Sequence, residues 1–540
     1  DFRFDAEETT ARIVARVARE WPPDLLVCWC PEVAPPPLAV EACPIRTVAV
    51  VSDWNVYYPQ LEHNLSRYDV VITDRLGTQY PRFHGVTPHY LGPIYAHRTG
   101  VHRRLDLPRD IDVAFAGNLN HAAHVRRGRL LERVAALADH RRIVIASDLP
   151  PGEYTRLYNR ARIVFNHALR REMNLRCFEA LACGALLFVE EDNLEAPEIL
   201  RDREEVVLYR ADNLTALLEH YLDQPQEAAQ IAARGHARSQ KLAGEQRLDA
   251  FLDAIAGLPS SGRAFVELPE HDRMLAEVMQ YASSRAPAQR AYARACVHEW
   301  EAFAQKRPAP DLNAAAGCLA FEDLEYASGI ERARLLEAVR THFGAAAQHA
   351  PDAAPLWLNL AFVARHGHAA AAEQRFLELA LAAETRRYDA FLMGERRDPY
   401  YARYREAMAY GAAKAGILHA AASARLAQLH LDAGRFPEAC RCAHASIDLL
   451  PDVPMPHRLL ALGLAGQGDH APAAEALEAA LPHTAFDAAH RFDLAALWRR
   501  LGREDDARAL IAQTRTLFAA LPSGEGAVMQ CDAWLSDSPE

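Results

Sequence analysis

Met173-Asn-Leu-Arg-Cys-Phe-Glu-Ala-Leu-Ala-Cys-Gly-Ala-Leu-Leu-Phe-Val-Glu190 decides how this chain is read. Its spacing predicts a short helix from about Asn174 to Cys183, with Asn174 as N-cap and Gly184 as the stop. The apolar run from Ala185 to Val189 then predicts a buried parallel strand. Leu175, Phe178 and Ala182 share one helical face, and Glu179 lies at its edge. A carboxylate beside a packing face is costly unless it meets a partner. A helix N-terminus beside a sheet is a ready anion site. Together these features suggest a phosphate at the helix start and a hydroxyl on Glu179, the two ends of a nucleotide-sugar. The alternative reading is an ordinary amphipathic helix with a glutamate on its rim.

The same βα rhythm extends outward. Strand signals at 113–116, 143–146, 163–166, 186–189 and 206–209 predict one parallel-sheet domain over 106–258. Signals at 25–29, 47–52, 70–73 and 89–91, after an amphipathic helix over 9–21, predict another over 1–105. The segment 92–109, rich in Pro, Gly, His and Arg, reads as the hinge. The first domain is short: either an initial βα unit lies outside this sequence, which begins at Asp1 rather than Met, or the domain is trimmed. Open α/β sheets bind ligands at the carboxyl ends of their strands, which places the expected site between the two domains.

From 259 to 540 strand signals vanish and Ala, Leu and Arg dominate. Gly434, Gly468 and Gly502 recur at a step of 34 residues, as do Leu426, Leu460 and Leu494. That is the tetratricopeptide period, and a looser copy begins at Trp357. The expected fold is therefore α/β plus all-α: two Rossmann-like domains, the first one short, followed by a helical solenoid.

The chain has 540 residues, 50% of them hydrophobic and 24% charged, and a net charge of −12. That is the composition of a soluble globular protein of several domains. There is no basic stripe with interleaved aromatics, so nucleic acid is not an expected partner. No run approaches 18 apolar residues, and neither a transmembrane helix nor a signal peptide is expected. The ten cysteines are scattered without zinc-site spacing and read as free thiols, in keeping with the cytoplasm.

The signature "NLRCFEALACGALLFVEED" resembles the donor-binding motif of GT-B glycosyltransferases, most closely the bacterial branch related to the spore-maturation CgeB proteins. "IDVAFAGNLNHAAHVRRGRLLERVAAL" is similar to the opening of that branch's second domain, and "LYNRARIVFNHA" to its strand before the signature. The resemblance covers roughly residues 20 to 225. Many GT-B enzymes carry two glutamates seven residues apart, for the donor sugar and its ribose. Glu179 takes the second place; the first falls on Arg171, with Glu172 one place off.

The candidate donor-binding residues are Gly117, Asn118, Arg126, His167, Glu172, Asn174, Arg176 and Glu179. Gly117 lets backbone approach a phosphate, while Arg126 or Arg127 could pair with a diphosphate. Arg176 in a first helical turn opposes the helix dipole and so implies a nearby anion. On the acceptor side Asp53 is the favoured base, with His63 and His84 behind it. His121 and His124 lack a third ligand, and no metal site is expected.

The expected activity is metal-independent transfer of a sugar from a nucleotide-diphosphate donor, without a cofactor. The acceptor would be a protein or peptide recruited by the solenoid, which could also carry oligomer contacts. The alternatives are transfer to a polysaccharide or lipid-linked glycan, and an inactive transferase-like adaptor.

Overall fold

The protein is described from a computed structural model, which covers residues 8–537 apart from 35, 63, 80–82, 84, 121–123, 260–263, 283–286, 305–308, 325–326, 385–387, 394–397 and 413. Three of the candidate histidines, His63, His84 and His121, fall outside the described residues. The chain divides into two compact units, and neither is one run of sequence. One joins Asp1–Tyr90 to Leu258–Pro451; the other joins Leu91–Gly257 to Asp452–Glu540. The helical C-terminal part is thus shared between the units, where the sequence had suggested three consecutive domains.

In the first unit, α1 (Thr10–Val17) precedes a parallel sheet of β1 (Leu25–Trp29), β2 (Arg46–Val50) and β3 (Val70–Ile72), in the order β1-β2-β3. The expected fourth strand at 89–91 is only a bridge between Ile72 and His89. Pro88 and Pro93, which have no amide hydrogen, flank it, and Gly92 turns away at φ +97, so the ladder cannot extend. A four-residue helix, α2 (Tyr58–Leu61), follows β2. Buried Arg67 pairs with Glu41 at 2.7 Å, bonds Gln280 and lies 4.5 Å over the Phe265 ring, tying the helix Glu270–Ala282 to this unit.

The second unit holds β4 (Ile111–Ala116), β5 (Ile143–Ala146), β6 (Ala161–Phe165), β7 (Leu186–Glu190) and β8 (Val207–Tyr209). All are parallel, in the order β5-β4-β6-β7-β8. This is a doubly wound sheet whose order reverses between β4 and β6. Helices α3 (Val125–Ala135), α4 (Pro151–Arg160), α5 (Leu175–Ala182), α6 (Ala196–Ile199), α7 (Leu214–Asp223), α8 (Pro225–Ser239) and α9 (Gly244–Gly257) complete it. Both faces are covered, which is why its strands read as continuous apolar runs. Phe115, Phe165 and Phe188 enter one core; Ala114, Val164 and Leu187 enter the other, with Phe178 of α5.

Within this unit the last helices belong to the sheet's own core. Leu517, Ala520 and Leu521 pack among Val113, Leu131 and Ile145, and Ile145 N–H donates to the Ala520 carbonyl at 2.8 Å. Glu132 on α3 accepts from Arg491 Nη2 at 3.1 Å and from Phe486 N–H at 2.9 Å.

The 34-residue step is a helical-hairpin repeat. Gly434, Gly468 and Gly502 sit between paired helices at φ +70, +90 and +76, where a side chain would be strained. In the looser copy His368 takes the left-handed place at φ +55, between Ala354–His366 and Ala370–Ala382. Among the described residues, no helix is long and apolar enough to cross a membrane. All ten cysteines are free, and seven of them are buried.

Candidate functional site

The reversal of strand order between β4 and β6 leaves a crevice at their carboxyl ends, the place where open α/β sheets hold ligands. Gly117 and Asn118 follow β4, while Asn166 and His167 follow β6. Helix α5 starts eight residues after His167, with Asn174 at its N-cap in an extended conformation. The cap is by backbone, since the Asn174 side chain accepts no amide hydrogen there.

Arg176 crosses from α5 to the end of β4. Its Nε donates to the Ala116 carbonyl at 2.8 Å and its Nη1 to Asn166 Oδ1 at 2.7 Å. The guanidinium lies 4.2 Å over the Phe115 ring. A Cβ at Gly117 would collide with it, so the glycine is what lets Arg176 lie there. Of the two neighbouring arginines, Arg126 is exposed and pairs with Asp192 at 2.9 Å. Arg127 turns inward, donating to the carbonyls of His167 at 3.0 Å and Asn118 at 3.2 Å. Burial, reinforced by the like charge of Arg176, pushes its pKa down to about 9. Two guanidinium groups thus crowd the carboxyl end of β4.

The polar shell behind them is only partly satisfied. Asn166 Nδ2 is buried without a hydrogen-bond partner among the described residues. His167 Nδ1 stands 3.7 Å from Glu190 Oε2, beyond hydrogen-bonding distance. Glu190 Oε1 accepts from Ala168 N–H at 3.1 Å and Asn193 Nδ2 at 2.9 Å. Glu172 points into its own loop, where its carboxylate accepts from Arg170 N–H at 2.7 Å. Arg171 takes φ +62 and donates through Nε to the Asp192 carbonyl at 2.6 Å.

Glu179, one turn along α5 from Arg176, is buried. Burial raises its carboxyl to about 7, opposed by Arg176. Its Oε1 lies 3.2 Å from Nε2 of His102. His102 Nδ1 accepts from Arg98 N–H at 3.4 Å, which places the ring hydrogen on Nε2, facing the carboxyl. Burial lowers the His102 pKa. In the sequence His102 falls in the segment 92–109, where a histidine beside two arginines is its only signal.

In the first unit Asp53 follows β2, and its carbonyl accepts from the amides of Val56 at 3.0 Å and Tyr57 at 3.1 Å. Its own N–H donates to Glu32 Oε1 at 2.8 Å. Glu32 also accepts from the Ser52 amide and hydroxyl, at 2.8 and 2.7 Å, so this turn is held by one buried carboxyl that the sequence reading passed over.

Residues 103–253 match a family model described as "Glycosyl transferase-like". The matched segment contains the second sheet, Gly117, Asn118, Arg126, Arg127, His167, Glu172, Asn174, Arg176 and Glu179, and begins one residue after His102. No curated protein matches the chain. Among solved structures, Anabaena HepE in complex with UDP-glucose aligns at 13% identity and a TM-score of 0.34, over 46% of this chain and 82% of that one. Sucrose-phosphate synthase from Thermosynechococcus elongatus aligns at 12% identity and a TM-score of 0.32, over 46% and 78%. MamA from Desulfovibrio magneticus aligns at 12% identity and a TM-score of 0.27, over 42% and 98%.

Proposed function

We propose that this protein is a glycosyltransferase that uses a nucleotide-diphosphate sugar, and that Arg127, Arg176 and Glu179 hold the donor. One observation carries the reading: two guanidinium groups and a buried carboxyl meet at the switch point of a doubly wound sheet, inside the segment matched by the glycosyltransferase-like family model. The diphosphate would lie over Gly117 against Arg176, with Arg127 behind it. A hydroxyl of the ribose would donate to Glu179. As the sugar–phosphate bond breaks, negative charge grows on the diphosphate, and fixed guanidinium groups stabilise it without reorganising. In this proposal they do the work a metal ion does elsewhere, and no cofactor is needed.

Asp53 is the proposed base for the acceptor hydroxyl. The repeat helices are proposed to recruit a protein or peptide acceptor, since stacked helical hairpins offer extended binding surfaces. The rival readings are transfer to a polysaccharide or lipid-linked glycan, and an inactive adaptor. The experiment is a thermal-stabilisation screen of nucleotide-sugars against the full-length protein. A ligand at 100 times its dissociation constant adds about 2.7 kcal/mol. Stabilisation by one nucleotide series supports the reading; no shift with any of them defeats it. Turnover with a bound donor separates enzyme from adaptor.

A further inference from the structure

A cavity of about 270 Å³ lies at the opposite end of the second sheet's strands from the crevice. Arg109 precedes β4, Arg162 is the second residue of β6, and Gly184 precedes β7, so the cavity sits at the amino ends of these strands. One wall is a face of α8, where Pro225, Ala228, Ala229, Ala232 and Ala233 present small side chains, beside Tyr221. The rim is basic: Arg104, Arg109, Arg162 and His236 line the cavity, and among the described residues no carboxylate does.

The basic groups converge. A Cβ built on Gly184, at φ +72, would meet Arg109 Nη2 at 3.2 Å, Arg104 Cδ at 3.7 Å and His236 Cγ at 3.9 Å. Arg109 is committed to carbonyls at the ends of α4 and α5, donating to Tyr158 at 3.2 Å, Cys183 at 2.9 Å, Gly184 at 2.6 Å and Ala161. His236 Nδ1 lies 3.1 Å from the Leu181 carbonyl. Basic groups suit helix C-termini, which accounts for these two. It does not account for Arg104, which makes no hydrogen bond or ion pair among the described residues and repels Arg109. Nor does it account for Arg162, whose ion pair with Asp112 at 3.3 Å leaves the rim with positive charge in excess. An excess of positive charge around a hollow with an apolar wall is the complement of an anion on an apolar body.

We propose that this cavity binds a small phosphate monoester. The phosphate would face Arg104, Arg109 and His236, and a compact apolar group would lie along the alanine face of α8. The site is distinct from the strand carboxyl ends and does not depend on the transferase reading. Its occupant would touch the guanidinium that holds the end of α5, the helix that carries Arg176 and Glu179.

The test is calorimetric titration of the full-length protein with phenyl phosphate, and separately with inorganic phosphate and phenol. Phenyl phosphate is expected to bind at least tenfold more tightly than either half. Arg104→Gln should weaken it about tenfold, as for one charged hydrogen bond. Ala229→Phe, at an exposed position on the lining face, should fill the hollow and abolish binding. Arg176→Gln should leave it unchanged. The proposal is overturned by absence of binding at millimolar concentration, by inorganic phosphate binding as well as the ester, or by equal affinity in parent, Arg104→Gln and Ala229→Phe. Loss of binding in Arg176→Gln overturns it too, by placing the phosphate at the carboxyl ends of the strands.

Discussion

Glu179 Oε1 stands 3.2 Å from His102 Nε2, and each side chain is only 10% exposed. Burial moves both groups toward their neutral forms, the carboxyl up to about 7 and the imidazole down. A carboxyl raised in the folded state takes up a proton on folding, so its stabilisation is complete below its ordinary 4.5 and is lost as pH rises through 7. The size is about 3 kcal/mol for a shift of this order. The histidine acts oppositely, costing stability as pH falls below 6.5. Glu179→Gln should therefore flatten the decline in denaturation midpoint between pH 5 and 7.5, the carboxyl's window. Identical pH slopes in parent and variant would show that this carboxyl is ionised throughout.

Gly117→Ala should leave the fold intact and displace Arg176, because the new methyl group occupies the guanidinium's place. Donor affinity should fall at least tenfold, about 1.4 kcal/mol. Gly152→Ala serves as the control: it lies in α4 with open space around it, and should stabilise by about 0.5–1 kcal/mol. Circular dichroism and calorimetry on both variants decide the matter. An unaltered donor affinity in Gly117→Ala would remove Arg176 from the site.

Much of this was legible in the chain. Each strand of the second sheet was marked by its apolar run, because a parallel sheet covered on both faces admits no alternation. The helix start at Asn174 and the left-handed Gly184, at φ +72, were legible from residue type. What was hidden depends on tertiary direction. Arg126 and Arg127 are adjacent and chemically equal, yet only Arg127 points inward. The 34-residue step identified the repeats, but periodicity says nothing of what the last helix packs against, and Leu517 and Leu521 belong to the sheet's core.

That packing has its own consequence. Arg491→Ala would leave half-buried Glu132 with the Phe486 amide but without its cation. The second unit should lose about 1–3 kcal/mol, the cost of stripping a charged partner from a half-buried group together with the packing of Arg491. Urea denaturation followed by fluorescence would measure it. A loss below 0.5 kcal/mol would mean that the C-terminal helices add little to the unit.

Asp53→Asn keeps the shape of the turn that Glu32 holds and removes basicity. If Asp53 is the base, transfer should fall by about 10²–10⁴-fold while donor binding is retained. Parallel assays of turnover and donor affinity distinguish this from a fold defect. Near-parental turnover would place the base elsewhere.

The central claim is that Glu179 and the paired arginines hold a nucleotide-sugar. It is tested most directly by calorimetric titration of parent, Glu179→Ala and Arg126→Ala with the nucleotide-sugar that stabilises the parent most. At pH 8, where the carboxyl is ionised, Glu179→Ala should weaken binding by about 1.5–3 kcal/mol, as for a charged hydrogen-bond partner. Arg126→Ala, which removes only a surface ion pair, should change it by less than about 0.5 kcal/mol. Equal donor affinity in Glu179→Ala and parent would contradict the account.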